Sequence, residues 1–174
     1  MIRQLREFTD NTYFTKAVIV TIAAVLPVLI LAQLGYFEMG FAMALGAFLS
    51  YPADIPSNLT HRIKGLFVTN FIVAGCTLII NLLHQYPWVF YPVTLLLIFF
   101  LSMISVYGQR ASMVSFSALI AVTLATGHIH TGMDVMAFTL LIFAGGLFYT
   151  LVSVIFNYLS PHRYTELQLA ECLK

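Results

Sequence analysis

Charge is what this sequence has least of. Only 9% of its 174 residues are charged, 60% are hydrophobic, and the mean hydropathy is +0.93. A water-soluble domain carries about 25% charged residues, so there is too little polar surface here to coat a particle in water. No Asp or Glu lies at the centre of any long apolar run. That removes the intramembrane carboxylate on which many proton-coupled carriers rely. Cysteine occurs only as Cys76, inside an apolar run, and Cys172, in a polar tail. The pair sits in unlike surroundings, which argues against a disulfide, and it offers no metal-ligand spacing. A Walker motif, a nucleophile elbow and a glycine-rich phosphate loop are all missing, so neither nucleotide hydrolysis nor acyl transfer has a foothold. A net charge of +1 without a basic run argues against a nucleic-acid partner. The first apolar run is as long as a span and no small-x-small site follows it, so it does not read as a signal peptide.

What is present is a series of apolar runs near membrane length. A crossing helix needs about 20 apolar residues. The spans fall at about Lys16–Gly35, Phe37–Tyr51, Gly65–Leu83, Pro87–Val106, Ser112–Thr126 and Val135–Leu159. The second and fifth are short, which predicts tilt, extension into their loops, or a locally thinned bilayer. All eight bases (Arg3, Arg6, Lys16, Arg62, Lys64, Arg110, Arg163 and Lys174) fall in alternate gaps. By the positive-inside rule those gaps are cytoplasmic. The expectation is an all-α membrane protein, a six-helix bundle of three hairpins with both termini inside. It divides into a cytoplasmic segment 1–15, a transmembrane domain 16–160, and a tail 161–174. The tail reads as the start of a cytosolic helix that continues in a longer native protein.

Polar residues inside the spans form two stripes. Asn70, Ala74, Thr77 and Asn81 share one face of the third span, and Ser112, Ser115, Thr123 and Thr126 one side of the fifth. An amide left facing lipid costs several kcal/mol, so the Asn stripe faces protein or water. It is either glue between helices or the lining of a route, and the hydroxyls also have the option of bonding their own helix. Gly40, Ala42, Ala44, Gly46 and Ala47 in the second span, and Ala144-Gly145-Gly146 in the sixth, allow close helix approach. Tyr86, Trp88, Phe90 and Tyr91 read as an interfacial aromatic belt. In the first inner loop, Asp54 or Ser57 is placed to cap a short helix leading to Arg62 and Lys64, and Asp54 to hold Arg62. Arg110 lies beneath the Ser112 stripe, where it suits either an anion or a lipid headgroup. His128, His130, His84 and Asp134 are candidates for an outer metal or proton-sensing site, although no metal site is expected.

Two stretches are familiar. The first is Ala44-Leu45-Gly46-Ala47-Phe48-Leu49-Ser50-Tyr51-Pro52-Ala53-Asp54-Ile55-Pro56, with Leu59-Thr60-His61-Arg62-Ile63-Lys64-Gly65 after it. The second is Tyr107-Gly108-Gln109-Arg110-Ala111-Ser112-Met113-Val114-Ser115-Phe116. Together they resemble the fusaric-acid-resistance-like family of bacterial inner-membrane proteins. That family includes aromatic carboxylic acid exporters and is distantly similar to plant aluminium-activated malate channels. The resemblance implies an inner-membrane location, a following cytosolic domain, and often a second six-span half. It places the family's acid, proline and arginine at Asp54, Pro56 and Arg62, and its second inner arginine at Arg110. By analogy with the malate channels it makes the arginines anion-contacting and the assembly dimeric.

Two functions follow as expectations. The first is an efflux module for organic anions, needing no cofactor and performing no enzymatic step. In it Arg62, Lys64 and Arg110 gather the anion, while Asn70, Thr77, Asn81, Ser112 and Ser115 line its route. Asp54 and Pro56 organise the loop. Its partners are the bilayer, small organic anions, and a second copy or second half. The alternative is a scaffold that anchors and dimerises a cytosolic domain for envelope maintenance. A hydrated seam favours the first, and tightly packed Asn70 and Asn81 the second.

Overall fold

The computed structural model describes residues 12–55, 59–84, 86–127 and 135–159. It contains six α-helices: α1 (Thr12–Gln33), α2 (Phe37–Ser50), α3 (Leu59–Leu83), α4 (Pro87–Ile104), α5 (Gln109–Gly127) and α6 (Val135–Leu159). Single 3₁₀ turns follow α2 at Tyr51–Ala53 and α4 at Ser105–Tyr107. No strand occurs among the described residues. The helices are apolar nearly all round, which is the pattern of helices buried in protein or lipid rather than laid on a soluble core.

Five helices, all but α2, are long and apolar enough to cross a bilayer. The fifth span extends into its loop, one of the three outcomes expected of its short apolar run: α5 runs Gln109–Gly127 because Gln109 and Arg110 join its first turn. Helix α2 is indeed short. Its 14 residues rise about 21 Å against a hydrocarbon core of about 30 Å. The 3₁₀ turn extends it by about 6 Å.

Turn chemistry sets the hairpins. Gly35 adopts φ +81°, with Gly35 N–H donating to Ala32 O at 3.0 Å and Tyr36 N–H to Leu31 O at 2.8 Å. This pair of bonds ends α1 and reverses the chain within the three residues Leu34, Gly35 and Tyr36. Gly108, at φ +120°, separates the second 3₁₀ turn from α5. At the start of α4, Pro87 occupies a position where its missing N–H leaves no helical bond unmade.

Helix α6 is the hub, packed against α1, α2 and α3, while α3 in turn packs on α5. Small residues permit this. A Cβ on Gly46 would stand 2.0 Å from Ile142 O, and one on Gly145 would stand 2.0 Å from Met43 O. The α2 and α6 backbones therefore touch directly, as the glycine and alanine clusters predict. Both helices run the same way, since Gly46 lies by Ile142 and Asp54 by Tyr149 and Ser153. Helix α4 is peripheral and packs chiefly on α5. Its Trp88, Tyr91 and Leu95, and Tyr107 in the 3₁₀ turn that follows, are largely exposed, as suits a lipid-facing helix with aromatics near its ends.

Candidate functional site

The 3₁₀ turn after α2 folds Asp54 back under the bundle. Asp54 N–H donates to Tyr51 O at 3.0 Å and Ile55 N–H to Ala53 O at 2.9 Å. Helix α3 starts at Leu59 and takes Arg62 and Lys64 into its opening turns, while Ser57, the other expected cap, lies outside the described residues. Asp54 therefore meets Arg62 across the bend rather than capping a helix below it. The guanidinium is engaged bidentately: Nε donates to Oδ1, and Nη2 donates to Oδ2 at 2.6 Å. A planar fork facing a carboxylate in this way is the strongest of the ordinary ion-pair geometries.

Two residues of α6, spaced four apart on one face, complete the cluster. Tyr149 OH donates to Asp54 Oδ2 at 2.9 Å. Ser153 Oγ donates to the same oxygen at 3.0 Å and accepts from Arg62 Nη2 at 2.6 Å. From α1, Lys16 Nζ donates to the main-chain oxygen of Asp54 at 2.9 Å. Asp54, Arg62, Tyr149 and Ser153 are all buried. Burial alone would push the Asp54 carboxyl up, but the hydrogen bonds and charge of Arg62, the Tyr149 hydroxyl and the charge of Lys16 outweigh it. They hold the group below the ordinary carboxylate range. The cluster ties α1, the α2–α3 turn, α3 and α6 together at one end of the bundle.

Arg110 lies at the same end, on the other side of the start of α3. Its Nη1 donates to His61 O at 2.9 Å. The guanidinium passes over Gly65, where a Cβ would lie 3.7 Å from Nη1. Lys64, in the same opening turns of α3, is exposed. Among the described residues, the four bases Lys16, Arg62, Lys64 and Arg110 thus share one end with the single carboxylate Asp54. Glu38, in the first turn of α2, is at the other end. Arg62 and Arg110 emerge together, but their side chains do not form one cluster.

Asn70, Thr77 and Ser115 of the polar stripes are buried against neighbouring helices, whereas Thr123 is exposed. Asn70 is buried against Gly146, where a Cβ would stand 2.0 Å from its Oδ1. Ser50 Oγ lies 2.6 Å from that Oδ1 and 3.0 Å from Gly46 O. The hydroxyl has one proton to offer, and turning the amide over would let Nδ2 donate to Ser50 instead. In either arrangement one polar atom of the amide is left over, as Nδ2 is here and as Asn81 Nδ2 is three turns along the helix. Thr77 bonds back to Val73 O and Ala74 O. On α5, Ser115 donates across to Leu101 O and Ser112 accepts from Ser105 Oγ at 3.1 Å. Thr123 and Thr126 bond to their own helix. Thr77 also borders a small void lined otherwise by apolar residues, among them Leu45, Leu49, Ala121 and Phe138. It is not a hydrated seam.

Pro56, Ser57 and the outer His128, His130 and Asp134 lie outside the described residues. Among those described, no cluster of three or more His, Cys, Asp or Glu is able to hold a metal. Sequence reasoning did not place Lys16, Tyr149 or Ser153 in a site. The available signal was the i, i+4 pairing of Tyr149 with Ser153 in an otherwise apolar span, close to the cation-rich end.

Residues 65–174, more than half of the chain, match the family described as FUSC-like inner membrane protein yccS. No curated protein and no solved structure matches the chain. With five apolar helices of crossing length and this match, the chain is a multi-pass inner membrane protein that belongs to the FUSC-like family.

Proposed function

We propose that this chain is the six-crossing membrane module of an efflux transporter for organic anions, aromatic carboxylates first among them. Both termini face the cytoplasm. The observation that carries the reading is the collection of Lys16, Arg62, Lys64 and Arg110 at one end, where Asp54 is the single carboxylate among the described residues. A low-dielectric mouth with net positive charge concentrates anions. Because Arg62 is committed to Asp54, Lys64 and Arg110 make the first contact and Arg62 holds the mouth in shape. The unpartnered amide atoms of Asn70 and Asn81, aligned on one face of α3, support a route along that helix. Thr77, Ser112 and Ser115 contribute to it once the helices part. A second copy or second six-helix half completes the assembly.

The scaffold reading has its own support in the packing of Asn70 on Gly146 and of Ser115 on Leu101. Flux separates the two. Full-length protein in liposomes is expected to carry a benzoate gradient, and Arg110→Gln to cut that flux about tenfold, the loss of one charge-assisted contact, with insertion unchanged. Unaltered flux in Arg110→Gln removes the role of that arginine. No flux in the wild type across a panel of weak acids favours the scaffold.

A further inference from the structure

The charge cluster does not sum to zero. Among the described residues, Lys16 and Arg62 both contact Asp54, two positive charges against one negative. The carboxylate is fully committed, with Oδ1 taken by Arg62 and Oδ2 by Arg62, Tyr149 and Ser153. Among the described residues Lys16 hydrogen-bonds only the Asp54 carbonyl, and the one carboxylate charge that attracts it is shared with Arg62. Neither α6 hydroxyl relieves the excess, since both donate to Asp54. The other described carboxylate, Glu38, is at the far end of α2.

An ammonium has three N–H donors, and among the described residues one of those on Lys16 is used. The side chain is half-buried. A partly desolvated cation beside a second cation is costly unless an anion accompanies it. Lys16 also opens the first apolar stretch, Lys16–Gln33. That puts its ammonium at headgroup depth, in reach of both lipid phosphates and dissolved anions.

We propose that Lys16, floored by the Asp54–Arg62 pair, is an oxyanion-binding site. Its ligand is the phosphate of an anionic lipid or the carboxylate of a dissolved anion. The site rests on local charge and not on transport, so a protein without flux would still bind.

The test uses the full-length protein in neutral detergent, with thermal stability followed against three probes: inorganic phosphate, benzoate and phosphatidylglycerol. Phosphatidylcholine serves as the uncharged comparison. Wild type is expected to be stabilised by at least one oxyanion, with Lys16→Gln needing roughly tenfold more of it, as for loss of a charged hydrogen bond. Lys16→Arg retains the response. A response to phosphatidylglycerol alone assigns the site to lipid, one to benzoate alone assigns it to a transported anion, and one to phosphate as well marks a general oxyanion position. If Lys16→Gln does not fold, Lys16→His supplies the contrast. Its binding should be present near pH 5.5 and lost near pH 8, either side of the ordinary histidine value of about 6.5. Absence of any response in wild type overturns the proposal, as does equal affinity in Lys16→Gln or pH-independent binding in Lys16→His.

Discussion

Breaking the Asp54–Arg62 pair should unlock one end of the bundle. Asp54→Asn keeps the shape of the side chain but deprives the buried Arg62 of the Asp54 charge. Arg62→Gln strands Asp54 in the same way. Removing one partner of a buried pair costs about 3–5 kcal/mol. The upper part of that range is apt here, because the carboxylate accepts from three side chains and the guanidinium also serves Ser153. For a chain of this length that corresponds to a fall of roughly 6–20 °C in Tm. Cys76 supplies the assay, since its thiol is buried in α3. In a Cys172→Ser background, a fluorogenic thiol reagent reports unfolding as Cys76 becomes exposed. The double variant Asp54→Asn/Arg62→Gln should be no worse than either single, because no uncompensated charge of the pair remains. The pH dependence has a fixed sign. The folded-state pKa of Asp54 is lowered, so its stabilisation is complete above the unfolded value of about 4 and drains away as pH falls through the folded value. Wild type should lose this increment on acidification below about pH 4, and Asp54→Asn should lack it. Additive single effects, or a Tm unmoved in both variants, would refute the account of the cluster.

Gly46→Ala should cost about 1–3 kcal/mol, the range for overpacking, because the new methyl meets the Ile142 carbonyl at a 2.0 Å approach. Gly75→Ala, with nothing within 4 Å, should be neutral or slightly stabilising by helix propensity. The same thiol assay reads both. The six crossings are testable by labelling single cysteines in a background without the native ones. Lys64→Cys should react with a membrane-impermeant reagent only from the cytoplasmic side and Tyr36→Cys only from the outside. Reaction of both from one side removes the arrangement. Tyr149→Phe, which deletes one hydroxyl donated to Asp54, should cost about 1–3 kcal/mol.

Much of the fold was legible because lipid imposes a simple rule. Backbone groups in hydrocarbon must pair within their own segment, so apolar length reads directly as helix. The helix limits near Gly35, Leu83, Pro87 and Leu159 follow from turn glycines, prolines and the ends of apolar runs. The glycines and alanines of α2 and α6 likewise announced a close crossing, since they alone let two backbones touch. Composition and motif thus determined a helical, multi-pass chain of this family.

Side-chain pairing was another matter. Arg62 and Arg110 look alike in sequence, two bases beneath apolar runs. One proves to be sealed behind Asp54, Tyr149 and Ser153, and the other rests on the surface of α3 at His61 and Gly65. The Asp54–Arg62 contact spans only 8 residues and was expected from the loop, but Arg62 meets Ser153 across 91 residues and Arg110 meets His61 across 49, and no local pattern encodes which distant helix will arrive. The polar stripes carried the same ambiguity, because an amide facing protein and an amide facing water satisfy the same periodicity. Only the placement of α6, brought onto α3 by the glycine crossing with α2, decided that Asn70 meets Gly146 and that Lys16 is left beside a carboxylate already spoken for.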